Sequence, residues 1–152
     1  MELHEEILIP APRDRVYAAL NDIDMLREAI PGCEELTEEE DGTLAAVVQL
    51  KVGPVKARFR GRVTLDRSAA PEGFTLAGEG QGGPAGFARG GAEVHLEERG
   101  DETLLRYDAK AEIGGKIAQL GSRLIQGTAK KLAAKFFENL SSQVADQEKQ
   151  PG

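Results

Sequence analysis

The spacing of apolar residues changes once along this chain, and that change constrains the fold more than any other feature. Up to Ile113 the apolar positions recur at every second residue, which is the period of β-strands. After Gly114-Gly115 they recur every three to four residues, which is the period of an amphipathic helix. The pattern predicts an antiparallel sheet whose apolar face is covered by one long C-terminal helix running to about Val144.

Shorter signals place two helices near the start of the chain. A strand over residues 3–9 ends at Pro10, and a short helix begins close to Pro12. Asp22 can cap a second short helix, which Pro31-Gly32 would stop. Six further strands follow, so the predicted order is β-α-α, six antiparallel strands and a helix. The predicted class is α+β.

Composition indicates one globular domain. The chain has 152 residues, of which 40% are hydrophobic and 30% are charged. We expect a single domain over residues 1–146 and a disordered polar tail over 147–152. No apolar run approaches the roughly 18 residues needed to span a bilayer. The single Cys33 fits a reducing cytoplasm, and two histidines with one cysteine argue against a metal centre.

Charge is distributed unevenly along the chain, although the net charge is −7. Residues 1–45 hold thirteen acidic and three basic side chains, whereas residues 114–140 hold five basic and one acidic. Lys116, Arg123 and Lys130 recur every seven residues on the predicted helix. They form either an ordinary solvated face or a basic side for an anionic membrane surface or an acidic partner. The acidic remainder of the chain argues against binding to nucleic acid.

The strand over residues 55–65 separates its two faces most clearly. Its apolar and small residues alternate with Lys56, Arg58, Arg60 and Arg62. Four cations on one exposed face need counter-charges, and Glu79 on the following strand is one possible partner.

A glycine run between Gly78 and Gly91 begins with the letters of a dinucleotide-binding motif, G-x-G-x-x-G. That motif binds a pyrophosphate only when a helix begins at its last glycine. Here the residues from Ala92 onward alternate as a strand does, so the run predicts a bent β-hairpin. Phe87 would point into the sheet's concave side if the strand is bulged at Gly90-Gly91, and would lie exposed near the hairpin tip otherwise.

Small residues dominate the predicted inner face of the sheet. They are Ala57, Gly61, Gly78, Gly80, Ala92, Ala109 and Ala111, and Gly121 would face them from the helix. Two interpretations stay open, since small residues can allow close helix–sheet packing or can leave a ligand cavity. Adjacent glycines can also allow the sheet to bend sharply.

No catalytic residue is predicted. His4 and His95 should face outward, Cys33 has no evident base, and Tyr107 is nearly the only polar side chain with an inward parity.

Several segments together resemble the CoxG family of carbon monoxide dehydrogenase proteins, within the START-like superfamily of polyketide cyclases and lipid-transfer proteins. The segments that carry the resemblance are 29–33, 51–57, 78–91, 113–125, 127–131 and Phe136-Phe137. The resemblance implies a START-like helix-grip fold, with a curved seven-stranded antiparallel sheet wrapped around the long C-terminal helix and two short helices between strands 1 and 2. It also implies an accessory protein of molybdenum-containing CO dehydrogenases or related hydroxylases. Such a protein would attach the enzyme to the inner face of the cytoplasmic membrane or link it to the quinone pool.

Three hypotheses follow for the function. The first is a non-enzymatic module that holds an apolar small molecule, with a quinone as the candidate ligand. The second is a cyclase- or hydrolase-like enzyme of the same fold, and the third is an adaptor without a cavity. For the first, the expected ligand-binding residues are Phe59, Gly61, Gly78, Gly80, Phe87, Tyr107, Ala109, Ile117, Leu120, Gly121, Leu124 and Thr128. The expected partner or membrane surface is Lys116, Arg123 and Lys130.

Overall fold

The computed structural model describes residues 1–149, with side chains through residue 145. Its seven strands are β1 (Glu2–Ile9), β2 (Cys33–Glu38), β3 (Leu44–Val52), β4 (Val55–Asp66), β5 (Gly73–Gln81), β6 (Phe87–Arg99) and β7 (Glu102–Gly114). Its α-helices are α1 (Arg13–Leu20), α2 (Ile23–Ala29) and α3 (Ser122–Lys149). Two 3₁₀ turns lie at Gly83–Ala85 and Lys116–Leu120.

The strands form one antiparallel sheet in the order β1-β7-β6-β5-β4-β3-β2. Both short helices lie between β1 and β2, and α3 follows the last strand. The predicted fold, a curved seven-stranded sheet that holds a long C-terminal helix, is therefore confirmed. Within the described residues, no helix is both long enough and apolar enough to cross a bilayer.

Apolar packing is concentrated around the C-terminal half of α3. Leu140 and Val144 are fully buried there, together with Ile9, Val16 and Leu105 from β1, α1 and β7. A smaller cluster of Leu26, Leu36 and Leu44 joins α2 to the opposite edge of the sheet. Phe136 packs against both clusters and so connects them.

The outer face of β4 carries the predicted row of exposed cations, but Arg62 takes a different partner from the expected one. Arg58 forms two hydrogen bonds with Glu34, at 2.7 and 3.1 Å. Arg62 donates to Glu39, although Glu79 lies opposite it in the register of β4 and β5. The counter-charges for these two arginines thus come from β2 and the turn after it. Exposed pairs of this kind stabilise a fold by at most about 1 kcal/mol each.

The glycine run forms a β-hairpin, as predicted. The β5–β6 register is continuous from the Gly73–His95 pair to the Gln81–Phe87 pair. A Cβ atom added to Gly78 would lie 2.8 Å from the Arg62 carbonyl oxygen, and one added to Gly90 would lie 2.0 Å from the Lys110 carbonyl oxygen. Both contacts are too short for a real side chain. These glycines therefore allow neighbouring strands to approach closely where the sheet bends.

The junction between sheet and helix differs from the prediction of one helix starting soon after Gly115. Residues Lys116–Leu120 form a separate 3₁₀ turn, and Gly121 has a φ of +98° before α3 begins at Ser122. An α-helix cannot pass through that conformation, so Gly121 separates two elements. At its other end α3 continues to Lys149, beyond the expected end at Val144. Residues 150–152 of the expected disordered tail lie outside the described residues.

Candidate ligand cavity

An apolar cavity of about 370 Å³ lies between the sheet and the N-terminal half of α3. Its walls come from β3, β4, β5, β6, β7, the second 3₁₀ turn and α3, with the ends of β1 and α2. The lining residues are Met1, Ile30, Ala46, Val48, Leu50, Val52, Phe59, Gly61, Val63, Gly80, Ala88, Ile113, Ile117, Ile125, Thr128, Ala129 and Leu132. Met1 is 37% exposed, so the cavity reaches the surface beside the start of β1. The volume is in the range of small-molecule sites.

Gly80 provides the clearest reason why this space is empty. A Cβ atom added there would have the Arg60 carbonyl oxygen, at 3.9 Å, as its only neighbour within 4 Å. A Cβ added to Gly61, directly opposite on β4, would instead lie 2.9 Å from the Glu79 carbonyl oxygen. Both open interpretations of the small residues therefore apply, at different positions. Gly80 leaves cavity volume, whereas Gly61 and Gly78 allow close approach of strands.

The two halves of α3 have different surroundings. Ile125, Ala129 and Leu132, spaced four and three residues apart, line the cavity from one face of the helix. The same face continues to Phe136 and Leu140, which pack in the apolar core. One amphipathic helix thus serves as a cavity wall in its first half and as a packing element in its second.

The cavity wall has almost no capacity for hydrogen bonding. Thr128 has the only polar side chain among the lining residues, and its hydroxyl donates to the Leu124 carbonyl oxygen at 2.9 Å. Among the described side chains, buried polar atoms without a partner occur only in Arg13, Tyr17, Tyr107 and Gln143, which do not line the cavity. The site can therefore bind apolar matter but cannot orient a polar group.

Five of the expected ligand-binding residues line the cavity, namely Phe59, Gly61, Gly80, Ile117 and Thr128. Gly78 and Ala109 lie farther along the inner face of the sheet, beside a separate shallow groove. Tyr107 is buried in the core, where its ring stacks on Phe137 with 5.5 Å between centroids. These three residues do not contact the cavity because the core of α3 covers or adjoins the sheet at their level.

Phe87 lies on the outer side of the sheet, which corrects its expected role at the ligand site. Both neighbouring strands pair with β6 without a bulge at Gly90-Gly91, and the parity of Phe87 is therefore that of the outward-facing Arg89. Its ring covers Gly114, where an added Cβ would lie 2.3 Å from a ring carbon. The Arg89 guanidinium lies 5.7 Å from the ring centroid. Phe87 thus has partners of its own and is only half-buried.

Leu120, Gly121 and Leu124 also lie outside the cavity. Gly121 is exposed and has no atom within 4 Å of an added Cβ, so it does not face the sheet. Leu124 is 39% exposed and contacts Gly53 at the tip of the β3–β4 hairpin. Leu120 and Leu124 line a surface groove with Arg123 and Lys131. The break at Gly121 changes the helical phase, and Ile125 therefore takes the inward position that the sequence pattern assigns to Leu124.

Sequence reasoning missed the contribution of β3 to the cavity. Ala46, Val48, Leu50 and Val52 line it, and all belong to the parity of β3 that carries no polar residue. That uniform parity is a usable signal for a cavity wall. The expected site rested on small residues, whereas this wall is made mainly of medium-sized aliphatic side chains.

The basic surface is divided between two elements. Lys116 belongs to the 3₁₀ turn, whereas Arg123 and Lys130 lie two turns apart on α3. All three are exposed. The seven-residue spacing therefore does not form one continuous helical stripe, contrary to the prediction.

Titratable groups that could support catalysis have unsuitable surroundings. Burial raises the pKa of the Cys33 thiol above its ordinary value, which disfavours the nucleophilic thiolate. Burial, followed by the charge of Glu5, likewise raises the pKa of Tyr107 and keeps its phenol protonated. His4 lies on the outer face, with Nδ1 2.6 Å from an Asp108 carboxylate oxygen. Within the described residues, no cluster of three or more His, Cys, Asp or Glu side chains is placed to hold a metal ion.

The curved sheet, the helix it encloses and the apolar space between them define the class of START-like helix-grip proteins. More particularly, the chain belongs to the CoxG family of carbon monoxide dehydrogenase subunits, whose model matches residues 6–145.

Solved structures agree with that assignment of class. A conserved protein from Geobacillus kaustophilus has 27% sequence identity and a TM-score of 0.91, over 96% of this chain and 96% of its own. A START superfamily protein from Mycobacterium smegmatis has 14% identity and a TM-score of 0.71, over 96% and 98% of the two chains. The Zhui aromatase/cyclase from Streptomyces has 15% identity and a TM-score of 0.68, over 95% and 93%. The last two show the fold alone. Among proteins with curated functions, none matches the chain.

Proposed function

We propose that this protein is a non-enzymatic carrier that holds an apolar small molecule, with quinones as the candidate class, for a molybdenum-containing CO dehydrogenase or a related hydroxylase. The observation that carries the proposal is the apolar cavity beside Gly80, whose lining has one polar side chain. Membership of the CoxG family supports the link to CO dehydrogenase. An apolar lining of this size favours hydrophobic ligands because their transfer from water is favourable in proportion to the apolar area buried.

Ligand extraction provides the direct test of this function. Purified protein is extracted with organic solvent, the extract is analysed by mass spectrometry, and the stripped protein is titrated with a long-chain quinone. We expect a co-purified apolar molecule and saturable binding with one site per chain. A chain that yields no apolar molecule and shows no saturation would contradict the proposal.

The enzymatic alternative lacks a residue to carry it. The only polar side chain at the cavity, Thr128, already donates its proton within α3. Tyr107, the inward polar residue that the alternative needs, is packed against Phe137 in the core. We therefore expect Tyr107→Phe to leave any turnover of a candidate substrate unchanged.

We further propose that the basic side of the molecule contacts the inner face of the cytoplasmic membrane. Lys116, Arg123 and Lys130 are exposed, and Leu124 adds an exposed apolar side chain among them in sequence. Cations close to an anionic bilayer each contribute up to about 1 kcal/mol of binding energy. The same surface could dock on an acidic patch of the partner enzyme.

Replacing Lys116, Arg123 and Lys130 together by glutamine should weaken binding to anionic vesicles. We expect partitioning to fall roughly tenfold at physiological salt, because ionic screening reduces the full contribution of three charges. Flotation with vesicles of mixed phosphatidylglycerol and phosphatidylcholine measures it. A triple control that replaces the exposed Lys56, Arg60 and Arg106 of the outer sheet face has the same net charge. Equal losses in both variants would indicate a general charge effect and contradict a specific basic surface.

A further inference from the structure

Beyond the presence of a ligand, we infer which part of it the cavity holds. We propose that the cavity takes the hydrocarbon chain of a prenylated or acylated ligand and leaves its polar head at the opening beside Met1. This inference rests on the proposed function, since it concerns the same cavity. It assigns a substrate class: amphiphiles with a long aliphatic or isoprenoid chain, irrespective of the ring at their end.

The first argument is the absence of hydrogen-bond donors in the wall. A quinone ring carries two carbonyl oxygens, and burying an acceptor without a donor is unfavourable. The hydroxyl proton of Thr128 is already donated to the Leu124 carbonyl oxygen, and no other lining side chain offers an N–H or O–H group. The backbones of β3, β4 and β5 are paired with one another along the wall. A hydrocarbon chain has no polar groups to satisfy, so this wall favours the chain over the ring.

The second argument is the elongated shape of the cavity. Along β3 the lining extends from Ala46 to Val52, a distance of about 20 Å at the rise of a β-strand. The end near Ala46 and Ile30 adjoins the core cluster around Leu26, so it is closed by packed side chains. The other end includes Met1, which is 37% exposed. A long cavity that is closed at one end and open at the other matches a chain inserted lengthwise.

The third argument is the composition of the wall along its length. Branched aliphatic side chains from β3, β7 and α3 face each other across the space, with Phe59 as the only aromatic ring among the lining residues. Sites for flat aromatic ligands usually combine aromatic walls with a few placed polar groups. This wall has neither in quantity, and it suits a flexible hydrocarbon.

Three probes separate the chain from the ring. Geranylgeraniol carries an isoprenoid chain without a ring, menadione is a naphthoquinone ring without a chain, and a naphthoquinone with a four-isoprene tail carries both. Binding to the stripped full-length protein is measured by calorimetry below the aggregation limit of each probe. We expect geranylgeraniol and the tailed quinone to bind within about tenfold of each other and menadione to bind at least about 100-fold more weakly. Each buried methylene should contribute roughly fourfold in affinity.

A variant locates the chain within the cavity. Ala46→Leu adds volume at the closed end, so it should weaken binding of geranylgeraniol by about tenfold or more while the shorter alcohol geraniol is unaffected. Access to the head is tested with the tailed quinone and dithionite in water. We expect the bound quinone to be reduced at close to the rate of the free quinone, because its ring is outside the cavity.

The outcomes distinguish this inference from the proposed function. Menadione binding within about tenfold of the tailed quinone, or protection of the bound ring from dithionite, would overturn the chain-first arrangement and leave the carrier function intact. Failure of all three probes to bind would overturn both.

Discussion

Replacing Gly80 by leucine should abolish ligand uptake while leaving the fold intact. A Cβ atom at this position has open cavity in front of it, with the nearest atom at 3.9 Å, and Gly80 does not require a positive φ. The leucine side chain would therefore extend into the cavity without displacing the backbone. Since it occupies part of a volume of about 370 Å³, we expect the affinity for a long-chain quinone to fall at least about 100-fold. Calorimetric titration measures that loss.

The stability of the same variant should change little or even rise. Filling an apolar cavity removes the unfavourable empty space, and a leucine has lower conformational entropy in the unfolded chain than glycine. We expect the midpoint of urea unfolding of the ligand-free protein to stay the same or increase. Ala77→Leu is the matched control, because Ala77 lies on the same strand with its side chain on the outer face. Normal ligand affinity in Gly80→Leu, or an equal loss in Ala77→Leu, would contradict the position of the cavity.

The largest effect on stability should come from Leu140→Ala. Leu140 is fully buried in the C-terminal half of α3, in the cluster that joins this helix to β1, β7 and α1. Removing its side chain leaves a void in close-packed surroundings, and we expect the free energy of unfolding to fall by about 2–5 kcal/mol. Urea unfolding monitored by circular dichroism at a constant m-value measures this change.

Leu132→Ala is the matched comparison on the same helix. Leu132 lies about two turns closer to the N-terminus and lines the cavity, so part of its side chain already faces empty space. Its removal loses fewer packing contacts, and we expect a decrease of less than about 2 kcal/mol. The order should reverse for binding, where Leu132→Ala weakens ligand affinity and Leu140→Ala does not. Equal stability losses at the two positions would show that the cavity half of α3 is packed as tightly as the core half.

The fold followed from the sequence because its signals are local and repeated. The alternation in β4 continues without interruption over Val55–Leu65, and a period of two residues allows only one face to be buried. Each hairpin turn is marked by glycine, proline or aspartate. The glycine run was also interpretable from its context, since a strand follows it where a nucleotide-binding motif requires a helix.

The details of the site depend on long-range geometry that the sequence does not encode locally. A glycine with positive φ at position 121 ends one element and begins another, and this shifts the inward position from Leu124 to Ile125. The side on which Phe87 lies is decided by a register that either β-strand alone would have allowed. Close strand approach and open cavity both select small residues, so Gly78 and Gly80 could not be told apart before their neighbours were placed.

The division of α3 has a consequence for how such proteins can diversify. Ile125, Ala129 and Leu132 contact the cavity, while the residues that hold the helix in place begin about one turn later. Substitutions in the first group can change ligand size or shape without spending the marginal stability of the domain. A lineage can therefore acquire a new cargo by drift at a few helical positions, and a shared fold need not mean a shared ligand.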